Sequence, residues 1–172
     1  MYLIEKAAID DVPEIVHLLN ITYRGEESYK GWTTEAGIIK GTIRTDEAIV
    51  DELMKEEGSV FFKCLDEKNK LVGCVNLKKK GTKMYLGMLS VQPDLQGNGI
   101  GKRFLMEAEN WARKNNCDTL FMQVISEREE LNDWYKRHGY RETGKKKPFD
   151  VDQKYGVPVR PLEFIYLEKQ LN

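Results

Sequence analysis

The chain has few of the residues that build metal, disulfide or redox sites. Its 172 residues include three cysteines and two histidines. Cys64, Cys74 and Cys117 show no C-x-x-C spacing, and His17 and His138 stand far apart. No metal site and no disulfide framework are expected. Charge of one sign is lacking too. With 27 Lys plus Arg against 28 Asp plus Glu, the formal net charge is −1, and no nucleic-acid partner is expected despite the short basic runs 78–80 and 145–147. Uncharged apolar runs fall far short of the ~20 residues that a membrane helix needs. The first ten residues carry Glu5 and Lys6, unlike a secretory signal. The expectation is a cytoplasmic protein with no membrane partner.

What is present suits one domain, residues 1–172. Hydrophobic residues make up 41% and charged residues 32%, and a chain of this size buries roughly 70% of the surface its unfolded form exposes. Alternating patterns predict strands near 2–7, 59–66, 70–79, 83–92, 120–125, 140–146 and 162–169. Helical spacing predicts helices over about 11–24, capped by Asp10, and from Thr45, read as the cap, to Glu57. A third covers 99–115, and a fourth is headed by a Ser126/Glu129 capping box and ended by Gly139. Two loops remain, Gly25–Arg44 and Lys147–Pro161. The order of elements gives a mixed sheet with helices on both sides.

The most informative segment runs from a strand through a glycine-rich turn into an amphipathic helix: Leu89-Ser90-Val91-Gln92-Pro93-Asp94-Leu95-Gln96-Gly97-Asn98-Gly99-Ile100-Gly101-Lys102. Glycines admit a ligand close to the backbone, and free N–H groups at a helix start favour phosphate. A Walker A loop fails, because Gln96 and Arg103 stand where glycine and Ser/Thr are required. A dinucleotide fingerprint fails as well, because Lys102 or Phe104 stands where its third glycine belongs. The spacing that fits is Q/R-x-x-G-x-G/A over Gln96–Gly101.

With the strand pattern Met84–Pro93 ahead of it and the element order across the chain, this segment resembles the GNAT superfamily of acetyl-CoA-dependent N-acetyltransferases. The resemblance implies an α/β fold with a mixed, mostly antiparallel sheet of six to seven strands, helices on both faces, and a splay between the fourth and fifth strands. It implies acetyl-CoA as acetyl donor. Pantetheine would pair with backbone at Leu89, Ser90 and Val91, and the pyrophosphate would sit on amides of Gln96, Gly97, Asn98, Gly99, Ile100, Gly101 and Lys102. On the helix after the fifth strand, Tyr135 takes the position of the acid that protonates the leaving thiolate. Periodicity alone offers another reading of Tyr135, as part of a core stripe with Leu131, Trp134 and His138. Many relatives carry Asn seven residues before this tyrosine; here that residue is Arg128, with Asn132 as a substitute for the cofactor contact.

The fourth strand supplies no carboxylate, so no general base is carried over. By resemblance the two loops form the acceptor pocket, with Glu26, Tyr29, Trp32, Glu35 and Phe149 as its candidate residues. The activity expected is direct acetyl transfer to a primary amine of a small molecule. Transfer to a peptide or protein amino group, or a non-catalytic acetyl-CoA-binding module, remain open. The exposed edges of such a sheet are compatible with a homodimer.

Overall fold

The computed structural model describes all 172 residues. Strand β1 (Leu3–Lys6) leads through a short 3-10 turn into α1 (Val12–Tyr23), and α2 spans Glu47–Lys55. The antiparallel strands β2 (Ser59–Leu65), β3 (Leu71–Lys80) and β4 (Lys83–Val91) follow. Next come α3 (Ile100–Lys114), β5 (Thr119–Ile125), α4 (Glu129–Arg137), β6 (Arg141–Pro148) and β7 (Glu163–Gln170). The strand order is β1-β2-β3-β4-β5-β7-β6, and every neighbouring pair is antiparallel except β4 with β5. This is the mixed, mostly antiparallel α/β sheet that the sequence led us to expect.

Helices α1 and α3 bury most of the stripe that their spacing predicts, whereas on α4 only Tyr135 of its stripe is buried. Ile15, Leu18 and Leu19 of α1 pack with Val50 of α2 on Phe61 and Leu71 of the sheet. On the opposite face Phe104, Leu105, Ala108 and Ala112 of α3 meet Leu77, Met84, Leu120 and Met122. Phe104 has no exposed surface, a burial worth roughly 1.5–3 kcal/mol. A small third cluster of Ile39, Ile125 and Leu162 underlies the two long loops. No helix is long and apolar enough to cross a membrane.

The helix starts are where local reading departs from the structure. Asp11, not Asp10, stands before α1, with Pro13 in the first turn. Helix α2 is capped by Asp46, whose carboxylate accepts the Ile49 N–H at 3.0 Å. Thr45 is enclosed instead and its hydroxyl has no partner. The capping box at Ser126 does not form, because α4 begins only at Glu129 and its N-cap is Arg128. The Ser126 amide is claimed by the Glu163 carbonyl of β7 at 2.9 Å, which holds it outside the helix.

Two features of the sheet position the site. Register between β4 and β5 runs only from Lys83↔Thr119 through Met84↔Leu120 to Tyr85↔Phe121, so the remaining six residues of β4 diverge from β5. Within that stretch β4 bulges against β3 between Cys74 and Asn76, with Met88 at φ 53°. Such a bulge re-aims the residues beside it.

Candidate active site

The splay opens a cleft of about 660 Å³ between β4, the glycine turn, α4 and the 32–33 loop. Its walls hold most of the turn and strand residues read as donor-binding: Leu89, Val91, Gln96, Gly97, Gly99, Ile100, Gly101 and Lys102. Gly97 and Gly99 adopt φ of +88° and +83°, and a β-carbon placed on either would meet no atom within 4 Å. The backbone thus turns into left-handed space and keeps one side open. Gly99 is the N-cap of α3 and offers no side-chain partner, so the first amides of the helix point unpaired toward the cleft with the positive end of the helix dipole. Open glycines, unpaired amides and a gap between strands fit a pyrophosphate with a narrow chain attached.

Ser90 and Asn98 do not line the cleft. Ser90 is buried, with its hydroxyl on the Met88 carbonyl at 3.4 Å, and Asn98 turns back to the Leu95 carbonyl at 2.9 Å. Gln96 is on the wall, but its side chain is occupied. Its Oε1 accepts the Trp32 N–H at 2.8 Å, and its amide donates to Thr33 Oγ1 and the Val91 carbonyl at 2.8 and 3.1 Å. Glycine is required at 31 to admit this carboxamide, which would lie 2.3 Å from a β-carbon there.

Tyr135 lines the cleft on α4, 5% exposed. Its hydroxyl has no hydrogen-bond partner within the chain, although it is not fully enclosed. Burial, with Tyr23 and Tyr85 nearby, pushes the phenol well above its ordinary range against the opposing pull of Arg128. The ring also packs edge-on against Trp134 and Tyr140, with centroids 5.1 and 5.8 Å apart, so it serves the core as well as the cleft. Trp134 stands 6.2 Å from Trp32 and lies over Gly101, where a β-carbon would come within 3.2 Å of its ring. His138 Nδ1 sits 2.7 Å from the Trp134 carbonyl, which makes Nδ1 the protonated nitrogen in the neutral ring.

Asn132 lies outside the cleft. Its amide donates to the Ile125 and Ser126 carbonyls at 3.4 and 3.3 Å, and its Oδ1 is enclosed without a partner.

The acceptor candidates are scattered. Glu26 and Tyr29 sit on an exposed 3-10 turn away from the cleft, and Phe149 packs on Phe164 with centroids 5.2 Å apart. Only Trp32 of the five lines the cleft. Glu35 is buried, each of its oxygens 3.3 Å from a guanidinium, Arg24 on one side and Arg128 on the other. It is therefore not a free carboxylate. Arg128 also donates to the Thr33 carbonyl.

Tyr23, the last residue of α1, continues the apolar spacing of that helix in the sequence and shows nothing more there. Its hydroxyl donates to the Leu89 carbonyl, 66 residues away, and it lines the cleft. The guanidinium carbons of Arg44 and Arg128 lie 4.6 and 5.6 Å from its ring centroid. No local pattern connects Tyr23 with β4, so no sequence signal flags it.

The sequence model of the acetyltransferase (GNAT) family matches residues 14–140. No curated protein sequence matches the chain. Among solved structures, the chain resembles the ribosomal-protein-S18-alanine N-acetyltransferase from Escherichia coli, with TM-score 0.73 and 15% identity over 100% of this chain and 95% of that one. An acetyltransferase of the GNAT family from Staphylococcus aureus Mu50 gives TM-score 0.72 and 14% identity over 100% of both chains. A chimeric spermidine N-acetyltransferase from Vibrio cholerae and hSSAT gives 0.69 and 14% over 98% of this chain and 95% of that one. At such identity these likenesses establish the fold.

Proposed function

Because the chain belongs to the GNAT acetyltransferase family, whose acetyl donor is acetyl-CoA, we propose that it moves the acetyl group directly to a primary amine of a small molecule, with Tyr135 as proton donor to the departing sulfur. The observation that carries this is the unpartnered Tyr135 hydroxyl in the cleft that also holds Leu89, Val91 and the open amides of α3. Acetyl-CoA supplies an activated thioester: as the amine nitrogen bonds to the acyl carbon the C–S bond breaks, and its electron pair leaves on sulfur. Tyr135 holds a proton throughout the neutral range, and its position in the same cleft as Leu89 supports its role as donor to that sulfur. The backbone around the β4 bulge orients the acyl end, and the α3 amides and Lys102 hold the phosphates.

Direct transfer is supported by the cysteines. All three are free and buried, and burial pushes the Cys74 thiol up to about 12, so none is an acetyl-carrying thiolate at neutral pH. The same free thiols support a cytoplasmic setting.

A small acceptor is favoured over a polypeptide by how the two acceptor loops are laced together. Ile39–Lys40 pairs with Val157–Pro158, Arg24 reaches the Tyr155 carbonyl at 2.6 Å, and Asp46 binds both Lys154 and the Tyr155 hydroxyl. A groove for a peptide would need these loops apart. Calorimetric titration with acetyl-CoA, with ATP and a dinucleotide as controls, tests the donor, and CoA thiol release across an amine panel tests the transfer. Selective micromolar binding with amine-dependent release is expected. Binding without release from any amine would favour a non-catalytic acetyl-CoA-binding module.

A further inference from the structure

Three guanidinium groups and one carboxylate meet around Tyr23. Arg24 and Arg128 share Glu35. Arg44 has no such partner: its backbone amide bonds Asn20 Oδ1, and its side chain, half-buried, rests on the Tyr23 ring without a hydrogen bond or ion pair. The acid nearest in sequence, Asp46, is spent on Lys154 and Tyr155. The cluster therefore carries an excess of two positive charges. The two buried members, Arg24 and Arg128, are offset by Glu35, whereas half-buried Arg44 is left to water, and an anion beside it would complete the set.

The place of the cluster matters as much as its charge. Tyr23 presents its ring to Arg44 and Arg128 and its hydroxyl to Leu89, and Leu89 and Tyr135 share the cleft. Arg44 and Arg128 do not line the cleft themselves: Arg44 stands behind its wall, with Tyr23 between it and the Leu89 carbonyl at the β4 bulge. A guanidinium fork is suited to a planar carboxylate, which it grips through two parallel hydrogen bonds.

We infer that the acceptor is an amino carboxylate, its anionic group seated on Arg44 with Arg128 alongside and its amine directed toward the Leu89 end of the cleft. The inference rests on the acetyltransferase reading above and names the substrate class within it. Two consequences follow from the charge. A nearby excess of positive charge disfavours the ammonium form of the amine, which supplies neutral nucleophile in a site without a free carboxylate base. The same charge repels acceptors that carry additional cations, so polyamines are poor substrates of this chain.

The test uses the full-length protein and paired acceptors: each common amino acid and β-alanine against its own carboxamide, with spermidine as the polycation. CoA thiol release gives kcat/KM, and calorimetry gives binding of the same compounds without acetyl-CoA. At least a tenfold preference for the carboxylate member of a pair is expected, in rate and in binding, with Arg44→Gln bringing the ratio toward one and Arg44→Lys retaining part of it. Carboxamides or spermidine used as well as carboxylates would overturn the inference, as would an Arg44→Gln protein that folds and keeps the ratio. If Arg44→Gln does not fold, the wild-type ratio alone decides. Failure of acetyl-CoA to bind would sink the acetyltransferase reading, while the paired binding measurement would still judge the anion site.

Discussion

The side-chain oxygen of Gln96 accepts the backbone N–H of Trp32 at 2.8 Å, joining the glycine turn to the loop that follows α1. The motif position that reads as a ligand contact is, in its side chain, a tie between two walls of the cleft.

Replacing Gln96 by Ala removes three hydrogen bonds and leaves the Trp32 amide and the Val91 carbonyl to find water. A loss of about 1–3 kcal/mol is expected, felt as a weaker donor site rather than a slower chemical step. Calorimetry should show the acetyl-CoA Kd raised roughly tenfold or more, with kcat at saturation little changed. An unaltered Kd would mean that the tie does not shape the cleft.

Tyr135→Phe keeps the ring that packs against Trp134 and Tyr140 and removes only the hydroxyl. If Tyr135 is the proton donor, kcat should fall about 10²–10⁴-fold, with thermal stability and acetyl-CoA affinity nearly intact. A full-speed phenylalanine variant would return Tyr135 to the core and leave the sulfur to water.

Glu35→Gln preserves shape but withdraws the only carboxylate shared by Arg24 and Arg128. Two buried guanidinium groups then face each other without a counter-charge, and a destabilisation of about 3–5 kcal/mol is expected. Denaturant unfolding measures it; a loss below about 1 kcal/mol would show that the carboxylate is not what holds the arginines together.

Gly99→Ala puts a β-carbon on a residue at φ +83°. Strain of about 1–2 kcal/mol is expected, and the added methyl would take up open space at the turn, which crowds the donor if its phosphates bind there. The melting temperature and acetyl-CoA affinity should therefore fall together. Survival of both would mean that the turn relaxes freely and that no ligand presses against it.

Burial raises the phenols of Tyr23, Tyr135 and Tyr140 above their usual value near 10. The unfolded chain releases these protons at about 10 while the folded chain retains them. Their contribution to stability is thus complete below about pH 10 and declines above it, by up to about 1.4 kcal/mol per pH unit for each tyrosine. Alkaline titration should show most tyrosinate absorbance from these rings appearing together with loss of circular dichroism. Ionisation well before unfolding would show that the rings are wetter than the structure indicates.

Periodicity located the long elements because α1, α3 and the central strands each bury a regular stripe. Capping was harder to read, because caps depend on competition. At Ser126 a strand carbonyl takes the amide that a helix would have used, and at Asp46 a carboxylate one residue beyond Thr45 takes the role. The glycine turn was legible because it depends on backbone geometry, which glycine records directly. The arginine cluster beside Tyr23 was not, since the meeting of Arg24, Glu35, Arg44 and Arg128 depends on how distant segments of the chain fold together. Of the two loop acids read as acceptor-pocket candidates, Glu26 is exposed away from the cleft and Glu35 is neutralised by arginine.

Three residue pairs, from Lys83↔Thr119 to Tyr85↔Phe121, are the whole ladder between the two halves of the sheet. What else joins the halves is α3, whose Phe104, Leu105, Ala108 and Ala112 lie in one apolar cluster with strands of both. The sheet is therefore stapled from behind by a helix where its own backbone bonds run out. The gap on the cleft side is held open by a packed core rather than by a flexible joint, so a long, narrow ligand meets an opening that is already formed.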